Sequence, residues 1–379
     1  MRAFLLAAVA LVAACGADRA DGEPVEPTVA PTVADGEVVE PAATPTVPDD
    51  RAGIPDRSVA SVDLGDVHFD TFDGGSIPLS EADDATIRRL VDAIIPLTDP
   101  PTERAADVDW LRDDELVLAY VGDDGSPSAW PHRILNSHEI VNVEIDGRPV
   151  LVSYCPLCGS GVVFDRRLDG VELTFGNTSA LYENDMVMFD RQTSSYWWQV
   201  VGEAIVGERT GQRLDVLPSS TITWSAFLDA HPDGDVLSQD LGFGRAYDPD
   251  AFDGYADRVD DGRTPFPTSE EAFADDRLPA GTLVLAVRPG DGREVAVPTT
   301  IGPAVVPIGG DDHVLVGADG SAVAVRSPGG APSLDGGRFV APDGGEVAAT
   351  GAPLETLPSI SSLWFAVVAS MPDVELVVP

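Results

Sequence analysis

Two cysteines, three positions apart, are the residues of this chain best suited to chemistry. Cys155 and Cys158 stand in the run Cys-Pro-Leu-Cys-Gly, directly after an apolar stretch. Such a pair can form a local disulfide, a thiol redox centre, or a metal knuckle in which Pro and Gly shape a tight turn. Gly-Ser-Gly and Val-Val-Phe follow, which indicates a turn and a strand, whereas redox pairs usually open a helix. The spacing leaves all three interpretations open.

A metal ion at this pair would need further ligands, because a closed zinc site usually has four. His138, Met186 and Met188 are the candidates by residue type. Thiolates, thioethers and an imidazole together suit Cu(I) or Zn better than Mg or Ca. We therefore predict a soft-metal or thiol-redox site formed by Cys155, Cys158 and these three residues.

Other polar residues could act in catalysis or bind a small molecule. His138 and Glu139 are adjacent, but the second histidine of a zinc protease motif is missing, and no nucleophile signature stands out. Arg191 could bind an anion, so these three are the candidate catalytic residues. The alternative for Arg191 is a buried salt bridge under an aromatic core. The predicted pocket wall consists of Asn142, Asp190, Arg191 and Trp197.

Short strands must position these residues, because apolar or alternating runs are bounded by Gly, Asp and Pro. Asp-Gly pairs at 146–147 and 169–170 predict hairpin turns. One helix is predicted over 83–95, and a short one after each Leu-Pro-Ser, where Ser219 or Ser220 could cap the first. The expected fold is β-rich α+β with a few short helices. The predicted strands are 116–121, 149–154, 161–164 and 171–175.

A weak internal duplication divides the chain. The pattern Leu-x-x-Leu-Pro-Ser, followed by Trp, Ala and Pro-Asp at equal spacing, occurs at 214–233 and again at 354–373. We predict two related β-rich units packed into one body, a first unit over 57–240 and a second over 241–379. The second copy keeps the strand but lacks both cysteines, so we expect the chemistry in the first unit.

The amino terminus predicts export. Residues 1–14 carry one arginine, a short apolar run and small residues directly before Cys15, which is typical of a prokaryotic lipoprotein signal peptide. We predict that Cys15 is lipidated and anchors the protein to the cell membrane on its extracytoplasmic side. Residues 15–56 repeat Pro, Thr and acidic residues, which is typical of a disordered linker.

Composition excludes some partners. The net charge is −41, and every basic residue is arginine. Nucleic acids need a positive protein face, so we expect no nucleic-acid binding. The partners that remain are the membrane, through the lipid, and a small-molecule or metal ligand.

Five motifs occur in order along the chain. They are Trp-Pro-His-Arg-Ile-Leu (130–135), His-Glu-Ile-Val-Asn (138–142), Tyr-Cys-Pro-Leu-Cys (154–158), Met-Phe-Asp-Arg-Gln-Thr (188–193) and Gly-Glu-Ala-Ile-Val-Gly (202–207). Together they resemble one family, DUF3179, a domain of unknown function. The similarity runs from about Ile94 to the carboxyl end, and it implies no particular reaction.

We therefore expect an exported, membrane-tethered lipoprotein with a soft-metal or thiol-redox site. The alternative is a non-catalytic binding or scaffold module with a structural Cys155–Cys158 disulfide.

Overall fold

The structure, a computed structural model, describes residues 52–289 and 291–379. The signal peptide, Cys15 and most of the predicted linker lie outside the described residues. Up to residue 240 the strands are β1 (His68–Asp70), β2 (Ser76–Pro78), β3 (Leu97–Thr98), β4 (Thr102–Arg104), β5 (Leu116–Val121), β6 (Pro127–Pro131), β7 (Ile140–Ile145), β8 (Arg148–Cys155), β9 (Ser160–Asp165), β10 (Arg167–Leu168), β11 (Val171–Glu172), β12 (Phe175–Tyr182), β13 (Asp185–Asp190), β14 (Tyr196–Trp198), β15 (Glu203–Val206), β16 (Asp215–Val216), β17 (Ser219–Thr223) and β18 (Asp235–Leu237).

The rest of the chain adds further short strands, and all the helices are short. The later strands are β19 (Leu283–Val287), β20 (Val295–Pro298), β21 (Ala304–Gly309), β22 (Asp312–Val316), β23 (Ala322–Arg326), β24 (Ser333–Asp335), β25 (Arg338–Val340), β26 (Glu346–Val347), β27 (Glu355–Thr356), β28 (Ser359–Leu363) and β29 (Glu375–Leu376). The α-helices are α1 (Asp84–Leu90), α2 (His132–His138), α3 (Trp224–Ala230), α4 (Tyr255–Asp260), α5 (Glu270–Ala274) and α6 (Trp364–Ser370), and 3-10 turns lie at Ala105–Asp107, Gln199–Val201 and Thr299–Ile301. The predicted β-rich fold with few short helices is confirmed.

The first helix is shorter than the predicted 83–95. Asp83 is the N-cap of α1 rather than its first residue, with its carboxylate accepting from the Thr86 N–H. The helix ends early because Asp92 adopts φ 53° and its N–H donates to the Asn177 carbonyl. Thr223, at the end of β17, caps α3, so the predicted caps at Ser219 and Ser220 are wrong. At both helices the boundary is set by a neighbouring strand rather than by the local sequence signal.

Two nine-stranded sheets form most of the body, and each takes strands from both parts of the chain. One has the order β29-β20-β19-β28-β9-β8-β7-β3, with β16 beside β9. The other has the order β21-β22-β23-β17-β5-β6-β18-β4, with β27 beside β23. The parts meet where Gly161 pairs with Ser361 and where Thr221 pairs with Ala322.

A six-stranded sheet, β15-β14-β13-β12-β1-β2, carries the hairpin that matters most for the site. Glu183 and Asn184 join β12 to β13 with φ of 53° and 60°, the two positive values of a type I′ turn, which suits the twist of a hairpin. A bulge between Asn177 and Ala180 then shifts the register within β12. Asp185 therefore starts β13 directly after the turn.

One buried asparagine joins this sheet to the neighbouring nine-stranded sheet. Asn142 lies on β7 and is 1% exposed. Its Oδ1 accepts from the Phe175 N–H at 2.8 Å, and its Nδ2 donates to the Phe175 carbonyl at 2.9 Å. The side chain thus completes the backbone hydrogen bonds at the start of β12, as a neighbouring strand would.

We predict that Asn142→Ala lowers the free energy of unfolding by about 2 to 4 kcal/mol, because it leaves a buried N–H and a buried C=O of Phe175 unpaired. Urea unfolding measures the change. Glu144→Ala, at an exposed position of the same strand, is the control and should change stability by less than about 0.5 kcal/mol. An equal effect of the two substitutions would contradict the bridging role.

Candidate functional site

The cysteine pair lies in the turn between β8 and β9. Cys155 ends β8, and the Cys158 N–H donates to the Cys155 carbonyl at 3.2 Å. Gly159 follows with φ 56°, a conformation that favours glycine, and β9 begins one residue later. Both cysteines are free thiols, 1% and 0% exposed. The strand that follows agrees with the predicted turn and strand.

A carboxylate that the sequence analysis missed completes the group. Asp185 is 0% exposed, and one ligand atom each of Asp185, Cys155 and Cys158 lies within 4.8 Å of the others. The hairpin turn at Glu183 and Asn184 brings it there. The turn residues Glu-Asn before the apolar run 186–189 were the available signal. Nothing in the sequence linked that strand to the cysteines.

Polar groups around Asp185 fix its carboxylate. The Val200 N–H donates to Oδ2 at 2.9 Å, and the Ser160 hydroxyl lies 3.1 Å from Oδ1. Ser160 also donates to Gln199 Oε1 at 2.7 Å, and Gln199 Nε2 donates to the Ser153 hydroxyl at 2.9 Å. Burial raises the pKa of Asp185 to about 7, although these hydrogen bonds oppose the shift.

Burial acts on the thiols in the same direction. It raises the pKa of Cys155, and it raises the pKa of Cys158 well above its ordinary value. The Cys158 thiol donates to the Asn184 carbonyl at 3.3 Å. Reactive redox thiols show the opposite pattern, a lowered pKa and some exposure to solvent. Without a cation, both cysteines here are held as neutral thiols.

Glu139 is a second carboxylate near the thiols. It ends α2 and is only partly buried, and its Oε2 accepts from Asn177 Nδ2 at 2.6 Å. Burial raises the pKa of Glu139 to about 8, and the charge of Asp185 adds to the shift. Glu139 in turn contributes to the raised pKa of Cys155. Two carboxyl groups and two thiols therefore share one region.

Among residues 52–289 and 291–379, neither Glu139 nor Asp185 has an arginine or histidine within salt-bridge distance. Three other buried carboxylates in the described residues do have such a partner, whereas Asp190 accepts from Trp197 and Thr193 instead. The pairs are Glu115–Arg133, Asp165–Arg148 and Asp312–Arg326. Burial of acidic groups without a counter-charge favours either proton uptake or a bound cation.

Both predicted methionines lie near the cysteines. Met186 and Met188 are two residues apart on β13, so they share a face, and both belong to the hydrophobic cluster that contains Cys155 and Cys158. The Met186 sulfur lies 3.5 Å from Asn177 Nδ2. The thioethers thus lie beside the region that contains the two thiols and the two carboxyl groups.

A model of the family "Protein of unknown function (DUF3179)" matches residues 92–374. The chain belongs to the DUF3179 family. The matched region includes Glu139, both cysteines and Asp185, so the whole site lies inside the DUF3179 domain. No curated protein and no solved structure matches the chain. No helix in the described part of the chain is long and apolar enough to cross a membrane.

His138, the predicted imidazole ligand, does not belong to the donor group of this DUF3179 domain. Its Nδ1 lies 2.7 Å from the Ile95 carbonyl, and its Nε2 lies 2.9 Å from the Tyr247 hydroxyl and 3.3 Å from Arg245. Burial lowers the pKa of His138 to about 4. Both ring nitrogens thus have protein partners, and the neutral ring ties α2 to the loop that contains Tyr247.

The predicted pocket wall is occupied by internal contacts. Asn142 forms the bridge to Phe175 described above. Asp190 accepts from Trp197 Nε1 at 2.9 Å and from the backbone N–H of Thr193 at 2.6 Å. Arg191 forms a salt bridge with Asp92 at 2.7 Å and lies over the Phe189 ring. These four residues support β12 and β13, the hairpin that carries Asp185.

We predict that Asp185→Asn gains stability relative to the wild type as the pH rises. The pKa of Asp185 is about 7 in the folded chain and near 3.8 when unfolded, so the unfolded state releases this proton first. The folded wild type therefore loses stability between about pH 4 and pH 7 in metal-free, reduced protein, and the amide variant avoids this loss. Urea unfolding of both proteins at several pH values gives the difference.

Asp185→Asn also loses the hydrogen bond from Val200, which lowers the free energy of unfolding by the same amount at every pH. The test is therefore how the difference in free energy between the two proteins changes with pH. Glu144→Gln, at an exposed position of β7, should give a flat difference over the same range. A flat difference for Asp185→Asn as well would show that Asp185 is ionised in the folded protein throughout.

Proposed function

We propose that this protein is a membrane-tethered extracytoplasmic lipoprotein that binds one thiophilic metal ion through Cys155, Cys158 and Asp185. The observation that carries the metal proposal is the convergence of two thiols and a carboxylate, all within 4.8 Å and all fully buried. Two donors on one zinc ion can be at most about 4.6 Å apart, so this spacing fits a single ion with little movement. A cation would also neutralise the buried acidic groups.

The donor set favours Zn²⁺ over Cu(I). Two thiolates and a carboxylate offer three negative charges and one hard oxygen, which suits a divalent borderline ion. Cu(I) would instead use the sulfurs, with the thioethers of Met186 and Met188 close by. Bound Zn²⁺ would replace the thiol protons and hold both cysteines as thiolates.

The thiol-redox alternative has weaker support. Cys155 and Cys158 are sealed from solvent, and burial raises the pKa of both. Thiol–disulfide exchange needs an accessible thiolate. The scaffold alternative requires a Cys155–Cys158 disulfide, whereas both cysteines are free thiols here. The metal interpretation is the one for which the buried carboxylate has a role.

The location rests on the amino-terminal sequence. The short apolar run and the small residues before Cys15 support cleavage and lipidation at that cysteine. The Pro- and Thr-rich residues after it support a tether. Gly53 and Ile54, at the end of the predicted linker, already pack on the body: the Tyr196 hydroxyl donates to the Gly53 carbonyl, and Ile54 is buried.

We also propose that the fold contains an internal duplication, and the strand pairing supports it. Thr221 and Ser361 occupy the same position after Leu-Pro-Ser, and each pairs with the other part of the chain, at Ala322 and Gly161 respectively. In the first part β18 pairs in parallel with β6, and in the second β29 pairs in parallel with β20. Such reciprocal exchange is expected if two copies of one unit pack about a pseudo-twofold axis.

We predict that the protein, purified without chelators or added reductant, contains about one Zn²⁺ per chain. Elemental analysis measures the metal. The double variant Cys155→Ser/Cys158→Ser should contain none. Asp185→Asn should weaken zinc affinity by about a hundredfold or more, because loss of a ligand exceeds the effect of an outer partner. Asp190→Asn, at the buried far end of the same strand, is the matched control and should keep the metal.

Thiol counting separates the alternatives. Two free thiols without any metal would refute the metal proposal. No metal and no free thiols at this pair would support the structural disulfide instead.

We predict that Cys15→Ser releases the protein from the membrane, because the variant has no thiol to lipidate. Fractionation of a bacterial expression host, with the wild type as control, measures the change. Continued membrane attachment of the variant would refute the lipid anchor.

A further inference from the structure

The two thiols and two carboxyl groups of the site differ in their exposure to solvent. Cys155, Cys158 and Asp185 are 0% to 1% exposed, whereas Glu139 is only partly buried. An ion that reaches the three donors must shed its water on the way, and a sealed site offers it no polar surface at which to begin. Glu139 is the one acidic residue of the group that solvent can reach.

A short chain of contacts leads from Glu139 to the donors. Its carboxylate accepts from Asn177 Nδ2, and the same nitrogen touches the Met186 sulfur. Met186 follows Asp185, and its backbone hydrogen-bonds to Cys155. A thioether therefore lies between the outer carboxylate and the inner thiols, and both groups can bind a thiophilic ion in passing.

The backbone at Glu139 is strained. It ends α2 with φ 58° and ψ −31°, at a position where glycine or asparagine is usual. A residue other than glycine in this conformation persists only when surrounding contacts hold it, and such residues are concentrated at functional sites. Here the Tyr154 N–H donates to the Glu139 carbonyl, and Asn177 holds the carboxylate.

We infer that Glu139 is the relay carboxylate through which the metal ion enters and leaves the buried Cys155–Cys158–Asp185 site. This inference rests on the proposed metal-binding function. The ion is first bound by Glu139 at the surface and then passes the Met186 sulfur to the three inner donors. Glu139 does not remain a ligand of the final site, which makes the site exchangeable although it is buried.

The test measures zinc kinetics in the full mature protein with Glu139→Gln. Glutamine keeps an acceptor for Asn177 and removes only the ability to ionise. We expect zinc uptake by the metal-free protein and zinc loss to a chromogenic chelator both to slow by about tenfold or more. The equilibrium affinity should change by less than about threefold, since a relay lowers the barrier in both directions.

Two variants serve as controls. Glu144→Gln, at an exposed position of β7, should leave the rates of zinc uptake and zinc loss unchanged. Glu139→Asp keeps a carboxyl group that can ionise and should retain rates close to those of the wild type. It also covers the case in which the glutamine variant does not fold.

Unchanged rates in Glu139→Gln would overturn the inference, as would a selective rise in the rate of zinc loss, which would make Glu139 a resident ligand. If Glu139→Gln does not fold, slow exchange in Glu139→Asp overturns it as well. Wild-type protein that binds no zinc at all would instead refute the proposed function.

Discussion

Two thiols and a carboxyl group share a space from which water is excluded, and much of the surrounding structure serves to keep them there. Three other buried carboxylates in the described residues are paired with arginine, as Glu115 is with Arg133. At Asp185 the neighbours are instead a hydroxyl, a backbone N–H and two thiols. Such a group is stable with protons on it or with a cation inside it. Under the proposed function, the protein exchanges protons for a metal ion within a fixed frame.

That frame depends on contacts between distant segments. The Leu363 N–H, at the cap of α6, donates to the Cys158 carbonyl, and the Ser362 hydroxyl donates to the same atom. In the turn between β22 and β23, the Ser321 hydroxyl accepts from the Thr223 N–H. Both turns are thus held by a helix cap from the other part of the chain. Only one of them carries cysteines, so this packing does not require the cysteines.

The sequence allowed the fold to be predicted where the cause is local. Strand β5 follows from a short apolar run, and the hairpin turns at 146–147 and 169–170 follow from Asp-Gly pairs. Asp185 could not be predicted, because its proximity to Cys155 results from the pairing of separate strands. His138 was grouped with the cysteines by residue type alone, but its ring nitrogens are used by Ile95 and Tyr247. Residue type indicates what a side chain can bind, whereas the tertiary contacts determine what it does bind.

Burial and the proposed location act together on the cysteines. An extracytoplasmic compartment is oxidising, and an accessible Cys-Pro-Leu-Cys pair there would be expected to form a disulfide. Zinc thiolates resist this, since both sulfurs are bound, and complete burial slows attack by any external disulfide. The same burial would trap the ion unless one donor reaches solvent. Glu139 meets that requirement because it is an ionisable carboxyl group on a partly exposed residue, while the thiols behind it stay sealed. In the proposed function, sealed inner donors protect the thiols from oxidation, and a carboxyl group at their edge lets the ion exchange.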